Sequence, residues 1–294
     1  MLVNKIVGCC LVLLSCHAAG QAVSSAYAVS DKNLEFQEPQ TQLLWGDTHV
    51  HTVLSGDSAL FGNKLVGPDE AYRFAKGEVV QASLGKPAQL ETPLDFLLVS
   101  DHAETMSTIW QLRHPTAEQK REQRLQAALN IVERGLEAIP ADVSQIETVN
   151  VALSSAAMFL LDGSAASNRA ANNAWQEIVA SAERHNQPGE FTALIGYEWS
   201  STPNGDNLHR VVMYRDGADR VSQTHPVSVI AAMIDPTAYH PETLWRGLQD
   251  YENKTGGQVL AIPHNSNLSS GLMFDVETST GPMNEAYARN RKRW

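Results

Sequence analysis

Two histidines in the stretch LLWGDTHVHT, residues 43–52, have the type and spacing of metal ligands. His49 and His51 stand at the end of an apolar run that predicts a β-strand. Along a strand, positions i and i+2 point to the same side with Cα atoms about 6.5–7 Å apart, so both imidazoles can face one cavity. The binding of one divalent ion by two imidazoles is the natural use of this arrangement.

Three further apolar runs also end in residues that bind metals. Asp101 and His102 end DFLLVSDH, Glu198 ends FTALIGYE, and His264 ends VLAIPH. In α/β proteins the carboxyl ends of parallel strands meet at one face, so these side chains can converge although they are far apart in sequence. A hydrogen-bonded structural role is the alternative for any single histidine. We expect that role for the following residues: His114, His185, His225 and His240.

Two candidates do not end an apolar run. His209 begins a strand, but the sequence PNG between it and Glu198 predicts a hairpin with a longish loop, which would place His209 beside Glu198. A carboxylate in that position could bridge two ions. Asp57, in HTVLSGDS, is either a further ligand or a turn residue beside Gly56.

Asp47 and Asp101 each lie close to a candidate ligand histidine. Such carboxylates often accept a hydrogen bond from a ligand imidazole and fix its tautomer. The equally reasonable alternative is that they cap the end of a strand.

The elements that must position these residues follow from the hydrophobic pattern. Strands are predicted at residues 43–51, 93–102, 191–200, 208–216 and 256–267. Short helices are predicted at residues 68–76, 226–234 and 241–254. The stretch 104–186 is predicted to be mostly helical, and we interpret it as an insertion without chemistry of its own.

Composition limits the classes of partner. The chain has 294 residues, 43% of them hydrophobic, which is enough to form a buried core. Its formal net charge of −11 argues against the basic surface that binding to a phosphate backbone requires. Nucleic acid is therefore not an expected partner.

The first 28 residues have the layout of a secretory signal peptide. Lys5 is their only charge, residues 6–14 form an apolar run too short to span a bilayer, and small residues lead to Ala28. We expect residues 1–28 to be removed, residues 29–42 to be a linker, and the protein to be exported to the periplasm or secreted. Because all three cysteines lie in this segment, the mature chain would lack a thiol. Lipid anchoring through Cys16 is the alternative.

The motifs together resemble those of the polymerase and histidinol phosphatase (PHP) superfamily of metal-dependent phosphoesterases. The longer motifs WGDTHVHT, PLDFLLVSDHAE, GYEWSS, NLHRVVMYRD and AIPHNSNLSSGLMF are more similar still to an uncharacterised PHP-like bacterial family, domain of unknown function 3604. The residues that match the PHP motifs are His49, His51, His102, Glu198, His209 and His264.

This resemblance covers about residues 43–294, which we take as one metallohydrolase domain. It implies an α/β fold, a distorted seven-stranded (β/α) barrel interrupted by the helical insertion, with two or three divalent ions at its carboxyl-end mouth. PHP proteins usually complete the site with a D-x-H pair, but no histidine follows His264. The resemblance also implies that family members continue beyond this point. We therefore expect the barrel and the metal site to be incomplete at the C-terminus, and the chain to be a fragment of the family domain or a prematurely ended reading frame.

The function expected from these features is that of an exported metal-dependent hydrolase, specifically a phosphoesterase. A metal-bound hydroxide would attack phosphorus, because the mature chain offers neither a cysteine nor a G-x-S-x-G motif for covalent catalysis. His102 with Asp101 is a candidate for catalytic work, and Arg210 for a phosphate contact, although a surface salt bridge is the simpler role for Arg210. The predicted metal ligands are His49, His51, Asp57, His102, Glu198, His209 and His264.

Histidine and carboxylate ligands without thiolate suit zinc, manganese or iron. The expected partner is a small-molecule substrate, phosphorylated in the case of a phosphoesterase, and no transmembrane span is expected. Two other functions stay open: an amidohydrolase-like enzyme that cleaves C–N or C–O bonds, and a non-catalytic secreted metal-binding protein. Amidohydrolases often bridge two ions with a modified lysine at a strand end, whereas Glu198 has that place here and no lysine ends a predicted strand.

Overall fold

A curled five-stranded β-sheet flanked by helices forms the centre of the protein in its computed structural model. The structure describes residues 42–134, 143–230, 235–278 and 281–293. The predicted signal at 1–28 with its Cys16, and the predicted linker up to residue 41, lie outside the described residues.

The described residues form nine β-strands and nine α-helices. The strands are β1 (Gly46–Val50), β2 (Val80–Gln81), β3 (Pro87–Ala88), β4 (Phe96–Val99), β5 (Thr192–Trp199), β6 (Arg210–Tyr214), β7 (Val259–Pro263), β8 (Glu277–Thr278) and β9 (Gly281–Pro282). The α-helices are α1 (Gly56–Leu60), α2 (Pro68–Ala75), α3 (Ala103–Arg113), α4 (Gln126–Arg134), α5 (Val143–Leu160), α6 (Ala165–His185), α7 (Ala218–Val221), α8 (Pro241–Thr255) and α9 (Glu285–Arg293).

The direction of the strands brings four of their ends to one edge of the sheet. The order is β1-β4-β5-β6-β7, in which β1, β4 and β5 run parallel. Strand β6 is antiparallel to both of its neighbours, so β7 runs in the same direction as β5. The carboxyl ends of β1, β4, β5 and β7 therefore share an edge with the amino end of β6.

The predicted hairpin between the third and fourth long strands is confirmed. Strands β5 and β6 pair with Glu198 opposite Val211 and Trp199 opposite Arg210. Gly196 allows this close pairing, because a Cβ atom at that position would lie 2.2 Å from the backbone oxygen of Val212. The hairpin brings the residue before β6 next to the end of β5.

The core lies between the sheet and its helices. Strand β4 is apolar throughout and nearly inaccessible, as is usual for a parallel strand covered on both faces, and Leu98 is fully buried. Trp175 and Ile178 of α6 are also fully buried and belong to the same cluster as Tyr197 of β5 and Val212 of β6. Burial of this kind contributes about 1.5–3 kcal/mol per large side chain.

The mixed α/β class predicted from the sequence is confirmed, and the predicted long strands correspond to β1, β4, β5, β6 and β7. Helices α3 to α6 occupy the stretch between β4 and β5, while its status as an insertion stays a prediction. The described sheet has five strands in linear order, and the seven-stranded barrel likewise stays a prediction. The predicted helix at 226–234 runs into residues outside the described ranges.

Across the described residues, no helix has both the length and the apolar character that a membrane crossing requires.

Candidate metal centre

The carboxyl group of Glu198, near the end of β5, is 1% exposed and lies among histidine side chains. Its Oε2 lies 2.8 Å from Nε2 of His49 and 2.7 Å from Nε2 of His51. Its Oε1 lies 2.6 Å from Nδ1 of His209 and 3.1 Å from Nε2 of His264. Among the described residues, the polar groups that contact the two carboxylate oxygens are thus imidazole nitrogens, which are capable of binding a metal.

A fifth imidazole, that of His102, completes a closed ring around this carboxylate. Nδ1 of His102 lies 3.7 Å from Oε1 of Glu198. The neighbouring pairs and their ring-centroid distances are His49–His51 at 4.9 Å, His51–His102 at 4.5 Å, His102–His209 at 5.6 Å, His209–His264 at 6.0 Å and His264–His49 at 4.1 Å. The residues predicted from the ends of separate strands therefore converge.

The sheet topology explains this convergence. His49 lies in β1 and His51 directly after it, so both reach the same side of the strand as predicted. His102 caps α3 beyond β4, and His264 follows β7. His209 precedes β6, and the reversed direction of that strand brings it to the same edge.

Asp57 lies on the outer side of the histidine ring. Its Oδ2 is 2.7 Å from Nδ1 of His51 and 3.8 Å from Nε2 of His102. Three overlapping groups, each with ligand atoms within 4.8 Å of one another, could hold a metal ion. They are His49, His51 and Glu198; His51, Asp57 and His102; and His102, Glu198 and His209.

The histidines determine the charge of the buried carboxylate. Burial alone would raise the pKa of Glu198, but hydrogen bonds with His209, His264, His49 and His51 outweigh it and hold the pKa far below its ordinary value. Within the described part of the chain, no lysine or arginine pairs with this carboxylate. The described groups that pair with this buried negative charge are therefore imidazoles, which are cationic when protonated.

The two histidines next to Asp57 have pKa values that are shifted in opposite directions. Burial would lower the pKa of His51, but hydrogen bonds with Asp57 and Glu198 raise it to about 10. Burial lowers the pKa of His102 to about 4, because its attraction to nearby carboxylates is too weak to compensate. Burial would raise the pKa of Asp57, yet its contacts with His51 and His102 hold it below the ordinary value.

The centre is open to solvent on one side. The side chain of His49 is 35% exposed and that of Asp57 is 37% exposed. The other four imidazoles are 15–16% exposed. A small molecule would therefore approach from the side of His49 and Asp57.

Asp47 and Asp101 bind backbone groups and not ligand imidazoles. Oδ1 of Asp47 accepts a hydrogen bond from the backbone N–H of His49 at 2.7 Å. The fully buried Asp101 accepts from the backbone N–H and the hydroxyl of Thr52, at 2.5 and 2.6 Å. Burial raises the pKa of Asp101 to about 6 in spite of these two donors. Of the two alternatives, the structure favours strand-end capping for both aspartates.

Arg210 is not brought into the histidine ring. It follows His209 directly, and successive side chains of a strand point to opposite faces. Its Nη1 donates to the backbone oxygen of Leu208 at 2.9 Å, and burial lowers its pKa to about 10. The expected surface salt bridge is wrong, because Arg210 is only 6% exposed and forms no ion pair with any described residue.

The family model described as "Protein of unknown function (DUF3604)" matches residues 38–294 of the chain. The protein belongs to the DUF3604 family. No curated protein and no solved structure gave a match.

Sequence reasoning missed two residues that contact the candidate ligands of this DUF3604 protein. Oγ of Ser200 contacts Nδ1 of His102, and the i, i+2 spacing from Glu198 was a signal that could have revealed it. Oδ1 of Asn207 accepts from the backbone N–H of His209 at 2.9 Å. Its position two residues before a ligand histidine is the same as that of Asp47.

Backbone strain also lies in the loops next to this centre. Asn204 has a φ of 56° in the loop between β5 and β6. Asn265 and Ser270, with φ of 57° and 48°, lie in the loop that follows β7. Such conformations are uncommon for residues other than glycine and cluster at functional sites, which agrees with the position of the centre.

Proposed function

We propose that this DUF3604 protein is a metal-dependent hydrolase that acts on phosphate esters. The observation that carries the proposal is Glu198, a carboxylate that is 1% exposed and whose hydrogen-bond partners within the described ranges are all imidazoles. Buried charges in proteins are paired or bind metals, and the described residues pair this carboxylate with no lysine or arginine. The donor set therefore favours a metal centre over a structural ion pair.

The residues present fit divalent transition metals. Imidazole nitrogens and carboxylate oxygens without thiolate suit zinc, manganese or iron. Nδ1 of His264 is buried and has no hydrogen-bond partner among the described residues, while its Nε2 faces Glu198. When bound, such ions supply activation of water and stabilisation of the charge that develops during phosphoryl transfer. The three overlapping ligand groups support the binding of two or three ions.

The position of each residue in the centre indicates the role that it would have. Glu198 contacts histidines through both of its oxygens and would hold the ions together with them. His49 and Asp57 form the exposed side, where a substrate would enter. Asp101 would act only indirectly, because it accepts a hydrogen bond from the backbone N–H of Thr52 and so fixes the backbone next to His51.

The order and identity of the ligands support membership of the PHP superfamily. They also support a seven-stranded barrel, of which the described sheet would form the larger part. We extend the proposal to export, because the charge pattern of residues 1–28 is that of a secretory signal. N-terminal sequencing of the protein isolated from cell fractions tests this part: a chain that begins near residue 29 in the periplasm agrees with export, and an intact N-terminus in the cytoplasm contradicts it.

Turnover by the purified protein tests the enzymatic proposal. The protein is reconstituted with zinc, manganese or iron and offered phosphomonoesters, phosphodiesters, amides and carboxylic esters. We expect hydrolysis of a phosphate ester that a chelator abolishes and that His49→Ala lowers at least about 100-fold, because a ligand is lost. His114→Ala is the matched control, since His114 is exposed and lies outside the ring.

The same experiment separates the rival functions. Cleavage of amides or carboxylic esters alone would favour an amidohydrolase-like enzyme. Tight metal binding without turnover of any substrate would favour a non-catalytic metal-binding protein. Absence of metal binding under all conditions would overturn the proposal.

A further inference from the structure

A cleft lined by positive side chains lies at the end of α3 that is remote from the candidate metal centre. Its volume of about 480 Å³ is within the usual range of small-molecule sites. Its walls come from the loop after α1, the end of α3, the segment that follows α3, and α4. His102 caps the start of α3 and Arg113 ends this helix, so the α3–α4 cleft lies about 16 Å along the helix from the histidine ring.

The charges in the α3–α4 cleft are opposite in sign to the charge of the chain. Lys64, Arg113 and Lys120 line the cleft, and Glu133 is the single carboxylate among its described lining residues. The whole chain has 22 lysines and arginines against 33 acidic residues. Three cations from three separate segments therefore face one concave surface, where their fields add and attract anions.

Arg113 is the residue of the cleft with the clearest need for an anionic partner. It is partly buried, and its Nη1 donates to the backbone oxygen of Lys64 at 3.3 Å. No described carboxylate forms an ion pair with it, so most of its five N–H donors have no acceptor in the described part of the chain. Burial lowers the pKa of Arg113, and the attraction of Glu70 does not compensate. A carboxylate or phosphate group would accept two of these donors at once.

The buried residues that line the cleft are apolar. Leu112 and Val132 are 4% and 6% exposed and belong to the cluster that packs α3 against α4 and α5. Leu129 adds to this apolar surface, and Asn130 adds an amide that can donate or accept. An inorganic anion would use the cations alone, whereas an organic anion would also cover the apolar surface.

We propose that the α3–α4 cleft binds a small organic anion that carries two or more carboxylate or phosphate groups. This inference goes beyond the proposed function, because it uses no residue of the candidate metal centre. The alternative is that the cations only stabilise the C-terminus of α3, where free carbonyl groups favour positive charge. That role accounts for Arg113, but not for Lys64 and Lys120, which lie outside this helix.

Calorimetry on the full chain, from which a chelator has removed any metal, tests the proposal. The probes are citrate and fructose bisphosphate, with acetate and inorganic phosphate as their small counterparts. We expect citrate or fructose bisphosphate to bind roughly tenfold or more tightly than its counterpart, because several charge-assisted hydrogen bonds act together. The tighter of the two identifies the preferred group, and its affinity should fall as salt is added. Equal affinities for large and small anions, or no binding, would overturn the proposal.

Charge-removing variants test the location of the bound anion. Arg113→Gln should lower the affinity roughly tenfold or more, and Arg113→Lys should lower it less, because the charge is kept while the planar fork is lost. Lys120→Gln should lower it about threefold, since this lysine is exposed. The matched controls are Arg73→Gln, in the last turn of α2, and Lys86→Gln, because neither residue lines the cleft. Wild-type affinity in both Arg113→Gln and Lys120→Gln would contradict the proposal.

The histidine ring is the competing place for an anion in the metal-free protein. His49→Ala should leave the affinity unchanged, whereas loss of binding in His49→Ala with wild-type affinity in Arg113→Gln would overturn the proposal. If Arg113→Gln fails to fold, the comparison of Lys120→Gln with Lys86→Gln still decides.

Chemical protection gives a second measurement of the location. The bound anion should slow the acetylation of Lys120 by acetic anhydride, followed by mass spectrometry, and leave that of Lys86 unchanged. Equal rates at Lys120 with and without the anion would contradict the proposal. If the unaltered protein binds no metal, the proposed function fails, while these measurements still decide on the cleft because they require no metal.

Discussion

Two carboxylates at opposite edges of the central sheet are held in contrasting ways. The carboxylate of Glu198, near the end of β5, has imidazoles as its hydrogen-bond partners in the part of the chain that the structure describes. Asp216, two residues beyond β6, accepts two hydrogen bonds at Oδ2. One comes from the Tyr251 hydroxyl at 2.9 Å and the other from the backbone N–H of Gln258 at 2.6 Å. Its Oδ1 accepts from Nη1 of Arg220 at 3.0 Å. Because β5 and β6 are antiparallel, the two carboxylates lie at opposite ends of one hairpin.

The donors distinguish a structural carboxylate from a candidate ligand. A backbone amide, a tyrosine hydroxyl and a guanidinium have hydrogens to donate at any ordinary pH, so Asp216 is satisfied by the fold alone. A neutral imidazole instead offers one hydrogen and one lone pair, and can turn the lone pair to a metal. The packing agrees, since a Cβ atom at Gly257 would lie 2.4 Å from Oδ2 of Asp216. The Asp216 carboxylate is therefore packed directly against the backbone of Gly257.

The largest effect should come from removing the charge of Glu198. Glu198→Gln keeps the size of the side chain but loses the negative charge and one acceptor oxygen. We expect zinc or manganese affinity to fall more than about 100-fold, since a buried anionic ligand is lost from a low-dielectric site. Calorimetry and metal content after dialysis measure this effect.

The contrast between the two carboxylates predicts that metal affinity does not depend on Asp216. Asp216→Asn should leave metal affinity and metal content unchanged, because none of its contacts reaches the histidine ring. Equal losses of affinity in Glu198→Gln and Asp216→Asn would show that the two edges are not distinct. Retention of full metal affinity by Glu198→Gln would remove Glu198 from the centre.

Local sequence patterns were sufficient to predict much of this arrangement. A metal-binding residue type at the end of an apolar run locates His49, His51, Glu198 and His264, because strand ends and strand faces follow from periodicity alone. The PNG turn added His209, since a hairpin relates the two sides of a loop. Topology then brought all of them together, even though β6 runs against its neighbours.

Features that depend on packing between distant elements could not be predicted. The burial of Arg210 depends on what covers its face of the sheet, which the sequence of β6 does not reveal. The contact of Ser200 with His102 requires the register between β4 and β5. The sequence left open whether Asp101 accepts from a ligand imidazole or caps a strand end, and only its donor, Thr52, distinguishes the two roles.

A moderate loss of stability is expected at the Asp216 edge. Asp216→Asn weakens hydrogen bonds to a charged acceptor, which contribute about 1.5–3 kcal/mol, whereas the half-exposed Arg220 adds little. We therefore expect the free energy of unfolding in urea to fall by roughly 2 kcal/mol at pH 7. Asp250→Asn is the control, because Asp250 is exposed and forms no side-chain hydrogen bond with a described residue. A loss no larger than that of the control would mean that Asp216 is not a structural carboxylate.

The smallest effect should be the pH dependence of the stability that Asp216→Asn loses. Burial alone would raise the pKa of Asp216, but the Gln258 amide, the Tyr251 hydroxyl and Arg220 outweigh it and lower the pKa below the ordinary value of 3.8. A carboxyl group with a lowered pKa in the folded state stabilises the protein above its unfolded pKa, and this contribution is lost as the pH falls through the folded pKa. The difference in unfolding free energy between wild type and Asp216→Asn should therefore be constant above about pH 5 and shrink below about pH 4. Protonation of the histidine ring affects both proteins alike and cancels in the difference, because the two sites share no partner. Urea unfolding of both proteins at several pH values measures this difference, and a gap that stays the same down to pH 3 would show that Asp216 acts through its shape and not through its charge.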